Sequence, residues 1–323
     1  MFLSGPGVSR WAVVLALGAT PSLAADLVPE VKVVAVQPGE GLQVTSLGSG
    51  RPVVLIPGLF GAAYAFRKLT PKLAAAGYRT VVIEPLGVGD SARPENATYS
   101  LTAQADRVAA TLAALDIADA VVIGHAVGAS VALRLAYRHP KRVHAIVSIE
   151  GGPVETAVSP TFRRALKLAP LLRLFGGASL VRRKVRGQLK EVSADPAWVT
   201  DEVVDGYTRG AAKDLGATFR ALQKMGQATE PEALSDHLAE IRCPVILVKG
   251  AASHASGPNA EEMELLKQRL KSFRVERAPG AGAYVFEEAP DAVVAAVASA
   301  WEPAPATGTA TATAATPRPA EDR

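Results

Sequence analysis

The chain is poor in the residues that crosslinking and metal chemistry draw on. Cys243 is the single cysteine among 323 residues, so no internal disulfide can form. It sits in IRCPVILVKG, directly before a strand-like run, where a small buried hydrophobe is expected rather than a reactive thiol. The five histidines, at 125, 139, 144, 237 and 254, show no paired ligand spacing, so no metal and no other cofactor is expected. Charge of one sign is also scarce: the net is +4, aromatics make up 5%, and basic residues do not interleave with them, which excludes nucleic acid as a partner class. Beyond the first 24 residues there is no apolar run approaching the ~20 residues of a bilayer span.

What is present reads as a globular protein, with 49% hydrophobic and 20% charged residues. Residues 1–24 follow the export pattern: Arg10 supplies the positive region, WAVVLALGA the apolar region and Ser22-Leu23-Ala24 a small-residue cleavage site. The expectation is a mature chain starting near Ala25 in the periplasm or secreted, with an uncleaved N-terminal anchor as the alternative. No cysteine stands at the cleavage site, which argues against a lipoprotein. Residues 302–323, EPAPATGTATATAATPRPAEDR, are low-complexity sequence with nothing to bury and are expected to form a disordered tail.

Between these ends, short β-branched runs alternate with longer helical patterns, the rhythm of an α/β protein with a mainly parallel sheet. Strands are expected at 31–36, 42–46, 52–56, 79–83, 119–123, 143–149, 244–249 and 273–277, and helices at 64–76, 101–115, 127–138, 258–271 and 288–301. Residues 151–241 break the rhythm with helical patterns alone, RRALKLAPLLRLF and VTDEVVDGYTRGAAKDLGATFRALQKM. An insertion of this kind after strand 6 is expected to form a helical cap over the carboxyl edge of a core made from 25–150 and 242–301. The first half of the cap is basic, which reads as a solvated cationic face or as an attraction for an acidic ligand or anionic surface.

Five motifs in order carry a resemblance: IPGLFG after the third strand, EPLGVGDS after the fourth, GHAVGAS after the fifth, CPVILVKGAAS and APGAGAYVFEEAP. The chain resembles the α/β-hydrolase superfamily, in the branch with a helical cap, over about residues 29–301. That resemblance implies an eight-stranded sheet and a catalytic triad of serine, acid and histidine. At the implied positions stand Ala126, Ser253 and Ala283. None supplies a nucleophile, an orienting carboxylate or a general base.

By the same resemblance, the oxyanion donors are the backbone amides of Leu59 and Val127, which do not depend on side chains. Gly124 and Gly128 flank the elbow, and they are kept either for that seat or because the turn cannot close without them. His125 is read as a packing residue. His254 is the one candidate for a displaced catalyst, although an exposed loop histidine is the plainer reading. Glu150, at the end of the sixth strand, is an acid with no histidine assigned to it, Ser130 belongs inside the elbow helix, and Asp90 and Ser91 to a structural loop.

Three functions are expected to compete. The first is an exported, inactive family member that binds a small apolar ligand bearing a carbonyl or carboxylate. The second is a protein-interaction scaffold with a partner in the cell envelope, and the third an atypical hydrolase or lyase built on His254.

Overall fold

The structure, a computed structural model, describes residues 28–166 and 177–302. The expected export segment, nearly all of the tail and the second half of RRALKLAPLLRLF lie outside the described residues. Eight strands form one sheet: β1 (Glu30–Gln37), β2 (Glu40–Leu47), β3 (Arg51–Ile56), β4 (Tyr78–Ile83), β5 (Ala120–His125), β6 (Val143–Ile149), β7 (Val245–Gly250) and β8 (Phe273–Ala278). Their spatial order is β1-β2-β4-β3-β5-β6-β7-β8. β2 runs antiparallel to β1 and β4, and the remaining neighbours are parallel.

The central strands are unbroken apolar runs because both faces of the sheet are covered. Val53, Leu55, Val121 and Ile123 pack with Leu69, Leu73, Val293 and Val297 on one side. Val54, Ile56 and Val122 pack with Val108, Leu112, Ala132 and Leu135 on the other. The alternation along each strand thus divides the core into two layers.

Every expected strand is present, but one expected helix is a pair. The 64–76 pattern splits into Ala62–Ala65 and Leu69–Ala75, with Phe66 at the break buried edge-to-face against Phe286 at 5.1 Å. The 288–301 pattern corresponds to Pro290–Ala300, with Pro290 at the first turn, and a short helix at Val285–Glu288 precedes it. Helices Leu101–Ala114, Val127–Arg138 and Ala260–Arg269 match their patterns closely.

Between β6 and β7 the described residues are helical, with helices at Pro160–Leu166, Gly177–Glu191, Asp201–Lys213, Leu215–Gln227 and Leu234–His237. The long apolar pattern through Met225 divides at Asp214, whose backbone leaves the helical region and whose carboxylate accepts from Ala217 N at 2.8 Å. These helices touch the loops that follow the strands: Gly61 N donates to Tyr207 O, and Ala283 N donates to Val192 O. Both ends of the insertion are tied to the elbow helix by Arg134, whose side chain is fully buried. It pairs with Glu155 at 2.6 Å and approaches Glu230 at 3.5 Å.

Candidate functional site

The turn after β5 is sharp and strained. Ala126 has φ 49° and ψ −120°, a conformation that costs a non-glycine residue on the order of 1–3 kcal/mol. Its amide donates to Ile149 O at 3.0 Å, and its carbonyl accepts from Ala129 N at 3.0 Å, so the neighbouring strand and helix hold it there. A Cβ at Gly124 would strike the backbone of Ala129, and one at Gly128 the Ile56 carbonyl. Close packing alone therefore requires both glycines.

The loop after β3 lies beside this turn because β3 and β5 are sheet neighbours. A Cβ built on Gly58 would sit 3.3 Å from His125 Nδ1 and 3.8 Å from the Ala126 Cβ. The amides of Leu59 and Val127 take part in no loop, turn or cap hydrogen bond among the described residues. Leu59 and Val127 line the same small cavity with Gly58, Val131, Leu101 and Met225. Its volume is about 20 Å³, enough for one water and far below a drug-sized ligand pocket.

The neighbours of the three expected catalytic positions come together, although those positions hold no catalytic groups. His125, which precedes Ala126, packs against Tyr284, which follows Ala283, at 5.5 Å between rings, and against Phe286 at 4.8 Å. Ala252, which precedes Ser253, donates through its amide to Ala281 O at 3.0 Å. Ala283 is buried beneath Val192, and Ser253 is exposed. Burial pushes the His125 imidazole down to about 4, so at neutral pH it is an uncharged packing ring, as expected.

His254 departs from the exposed-loop expectation. Its side chain is 4% exposed and turns inward, with Nδ1 2.7 Å from Ala252 O and Nε2 3.1 Å from Glu150 Oε1. The Nε2 approach is too far out of line to count as a hydrogen bond, but the two groups face each other with no solvent between. Burial raises the Glu150 carboxyl above the ordinary value, against the lowering effect of His254 and of the Gly250 amide at 2.6 Å. Both ring nitrogens of His254 thus face protein oxygens.

Sequence reasoning missed a second cluster. Tyr207, from the inserted helix Asp201–Lys213, donates its hydroxyl to Glu287 Oε1 at 2.9 Å, and Glu287 also pairs with Arg67 and Lys68. Tyr64, Trp198 and Tyr284 surround the Tyr207 ring at 6.0 to 6.2 Å between centroids. Burial, then the Glu287 charge, holds the Tyr207 hydroxyl well above the ordinary phenol value. Tyr207 fits the apolar stripe of its helix, so periodicity reads it as ordinary core. Ser130 and Ser91 are structural, donating to Val154 O at 2.7 Å and Glu84 O at 2.6 Å. Cys243 is half-buried, and burial pushes its thiol up to about 12.

A family model described as the alpha/beta hydrolase fold matches residues 51–290. Bifunctional epoxide hydrolase 2 of Rattus norvegicus is 34% identical over 130 residues, 39% of this chain and 24% of that protein. The chain thus spans about a quarter of that relative's length. Among solved structures, Cfl2 from Burkholderia cenocepacia aligns with a TM-score of 0.68 at 22% identity, covering 87% of this chain and 97% of that one. The meta-cleavage product hydrolase CumD from Pseudomonas fluorescens IP01 aligns with a TM-score of 0.66 at 21% identity, covering 84% and 96%. At these identities the structural likeness speaks for the fold.

Proposed function

We propose that this chain, which belongs to the α/β-hydrolase fold family, recognises a small carbonyl- or carboxylate-bearing apolar ligand and does not hydrolyse it. The observation that carries this reading is Ala126: the elbow keeps its strained turn but presents a methyl group where acyl transfer needs a hydroxyl or thiol. Ser253 and Ala283 supply no acid and no base in its place, and both nitrogens of His254 are turned to protein oxygens. The Leu59 and Val127 amides beside the cavity are suited to a ligand oxygen. Because that cavity holds about one water, a ligand enters only as the inserted helices over it move.

The test is hydrolysis of nitrophenyl acetate and butyrate, beside calorimetric titration with short-chain acids, lactones and fatty acids. Inert protein that binds one of these classes supports the reading. Turnover that disappears in His254→Ala overturns it in favour of an atypical enzyme. Export belongs to the same proposal and rests on Arg10, WAVVLALGA and Ser22-Leu23-Ala24. N-terminal sequencing of protein recovered from the producing cell checks it, with a start near Ala25 expected.

The scaffold reading draws on one observation of its own. Edge strand β1 exposes Val31 and Val33, 55% and 63% accessible, on one face. Crosslinking in the cell envelope that Val31→Lys with Val33→Lys abolishes would favour it.

A further inference from the structure

The exit of β6 and the loop after β7 press a buried acid against a buried histidine, and neither group belongs to the elbow. We propose that Glu150 and His254 form a one-proton latch, which holds the 251–257 loop down on the exit of β6 and lets go when that proton leaves.

The geometry sets the proton count. Ala252 O lies 2.7 Å from Nδ1, so that nitrogen carries a hydrogen. A neutral imidazole has only one, which would leave the Nε2 lone pair facing Glu150 Oε1 at 3.1 Å. The side chains are 4% and 1% exposed, so water does not relieve that contact. The arrangement therefore holds while a proton remains in the pair, on Nε2 or on the carboxyl. Few other charges intervene: Lys249 of β7 acts on Glu150, and Glu262 of helix Ala260–Arg269, beside Gly152, is occupied in accepting from Asn259 N at 2.8 Å.

The latch sits where the chain leaves the sheet for the inserted helices. Glu150 has φ 47°, a left-handed conformation that its side-chain contacts help to hold. Gly257, at φ 89°, approaches Glu150 Oε2 so closely that no side chain fits there. Gly151 lies against the Ala126 carbonyl, and Gly152 faces Pro258. Releasing the pair therefore loosens the 251–257 loop, the junction to the inserted helices and the packing behind the elbow together.

The direction with pH follows from the Glu150–His254 contact, because a pair without its proton would set the Nε2 lone pair against a carboxylate oxygen 3.1 Å away with both side chains out of water. The folded pair binds its proton more tightly than the unfolded chain does, so the latch is closed at low pH and opens as pH rises through the folded value. This holds whether or not the elbow binds a ligand, and the test reads the loop rather than binding.

Amide hydrogen exchange on the full chain from pH 5 to 9, corrected for intrinsic rates, is the experiment. Protection across 149–153 and 250–258 is expected to fall in the wild type by about tenfold for each pH unit beyond the titration point. His254→Gln, whose amide donates to Glu150 without titrating, is expected to remove that dependence. NMR titration of the His254 ring in the wild type needs no variant, and its signals are expected to shift over the interval in which protection falls. A wild type whose protection does not change with pH, the same fall in His254→Gln, or a ring whose state stays constant across that interval overturns the proposal.

Discussion

The Tyr207 hydroxyl donates to the buried Glu287 carboxylate at 2.9 Å, while the Tyr207 carbonyl accepts from Gly61 N at 3.3 Å. One residue of an inserted helix is thereby bonded both to the loop after β3 and to the segment after β8. Tyr207→Phe removes the hydroxyl and leaves Glu287 with Arg67 and Lys68 alone. A loss of about 1–3 kcal/mol is expected, because the bond is charge-assisted and buried. Urea denaturation measures it, and faster amide exchange confined to 199–213 would place the loss in the latch between insertion and core.

Ala126→Ser alone is expected to leave the protein without esterase activity. The new hydroxyl would have no base, since His125 is neutral and packed between Tyr284 and Phe286, and Ala283 offers no imidazole. Ala126→Ser with Ser253→Asp and Ala283→His is the informative comparison under nitrophenyl acetate. Position 283 is buried and its amide is bonded to Val192 O at 2.8 Å, so a histidine there must displace packed neighbours. Turnover by the triple variant alone would show that only the three side chains are missing.

His125 makes stability depend on acid. Its folded value near 4 lies below the ordinary 6.5, so between these limits the unfolded chain binds more protons. Stability is fully present above the ordinary value and is lost as pH falls through the folded one, by on the order of 3 kcal/mol. Denaturation from pH 4.5 to 7 in wild type and His125→Asn is the check, and the variant is expected to show a shallower slope. The Glu150–His254 pair works in the opposite direction at higher pH.

Arg134→Met is expected to destabilise the fold by about 3–5 kcal/mol, since it removes the buried charge facing Glu230, which is only 8% exposed. Glu155 and Glu230 stand near the two ends of the insertion, and Arg134 is their shared partner. A single cooperative loss in thermal unfolding is the expected signature, rather than detachment of one helix.

Much of this molecule is legible along the chain. All eight strands lie where the pattern places them, and the central ones, β3 to β7, are the plainest, because parallel strands covered on both faces are apolar almost throughout. The glycine motifs mark the elbow for a related reason: a Cβ at Gly124 or Gly128 would overlap a neighbouring backbone. Helix breaks were less readable, since Phe66 interrupts one pattern by turning toward Phe286, which lies far away in sequence.

The sequence by itself determined that residue 126 carries no hydroxyl or thiol, because an alanine there is a fact of composition that no fold can repair. Which polar groups meet was decided only in three dimensions. Glu150 and His254 are 104 residues apart, as are few pairs that local pattern could link, and they meet because β6 and β7 are neighbours in the sheet. Tyr207 reaches Glu287 for a similar reason, since the insertion folds back onto the ends of the strands, and the packing there leaves a space for about one water beside the elbow amides.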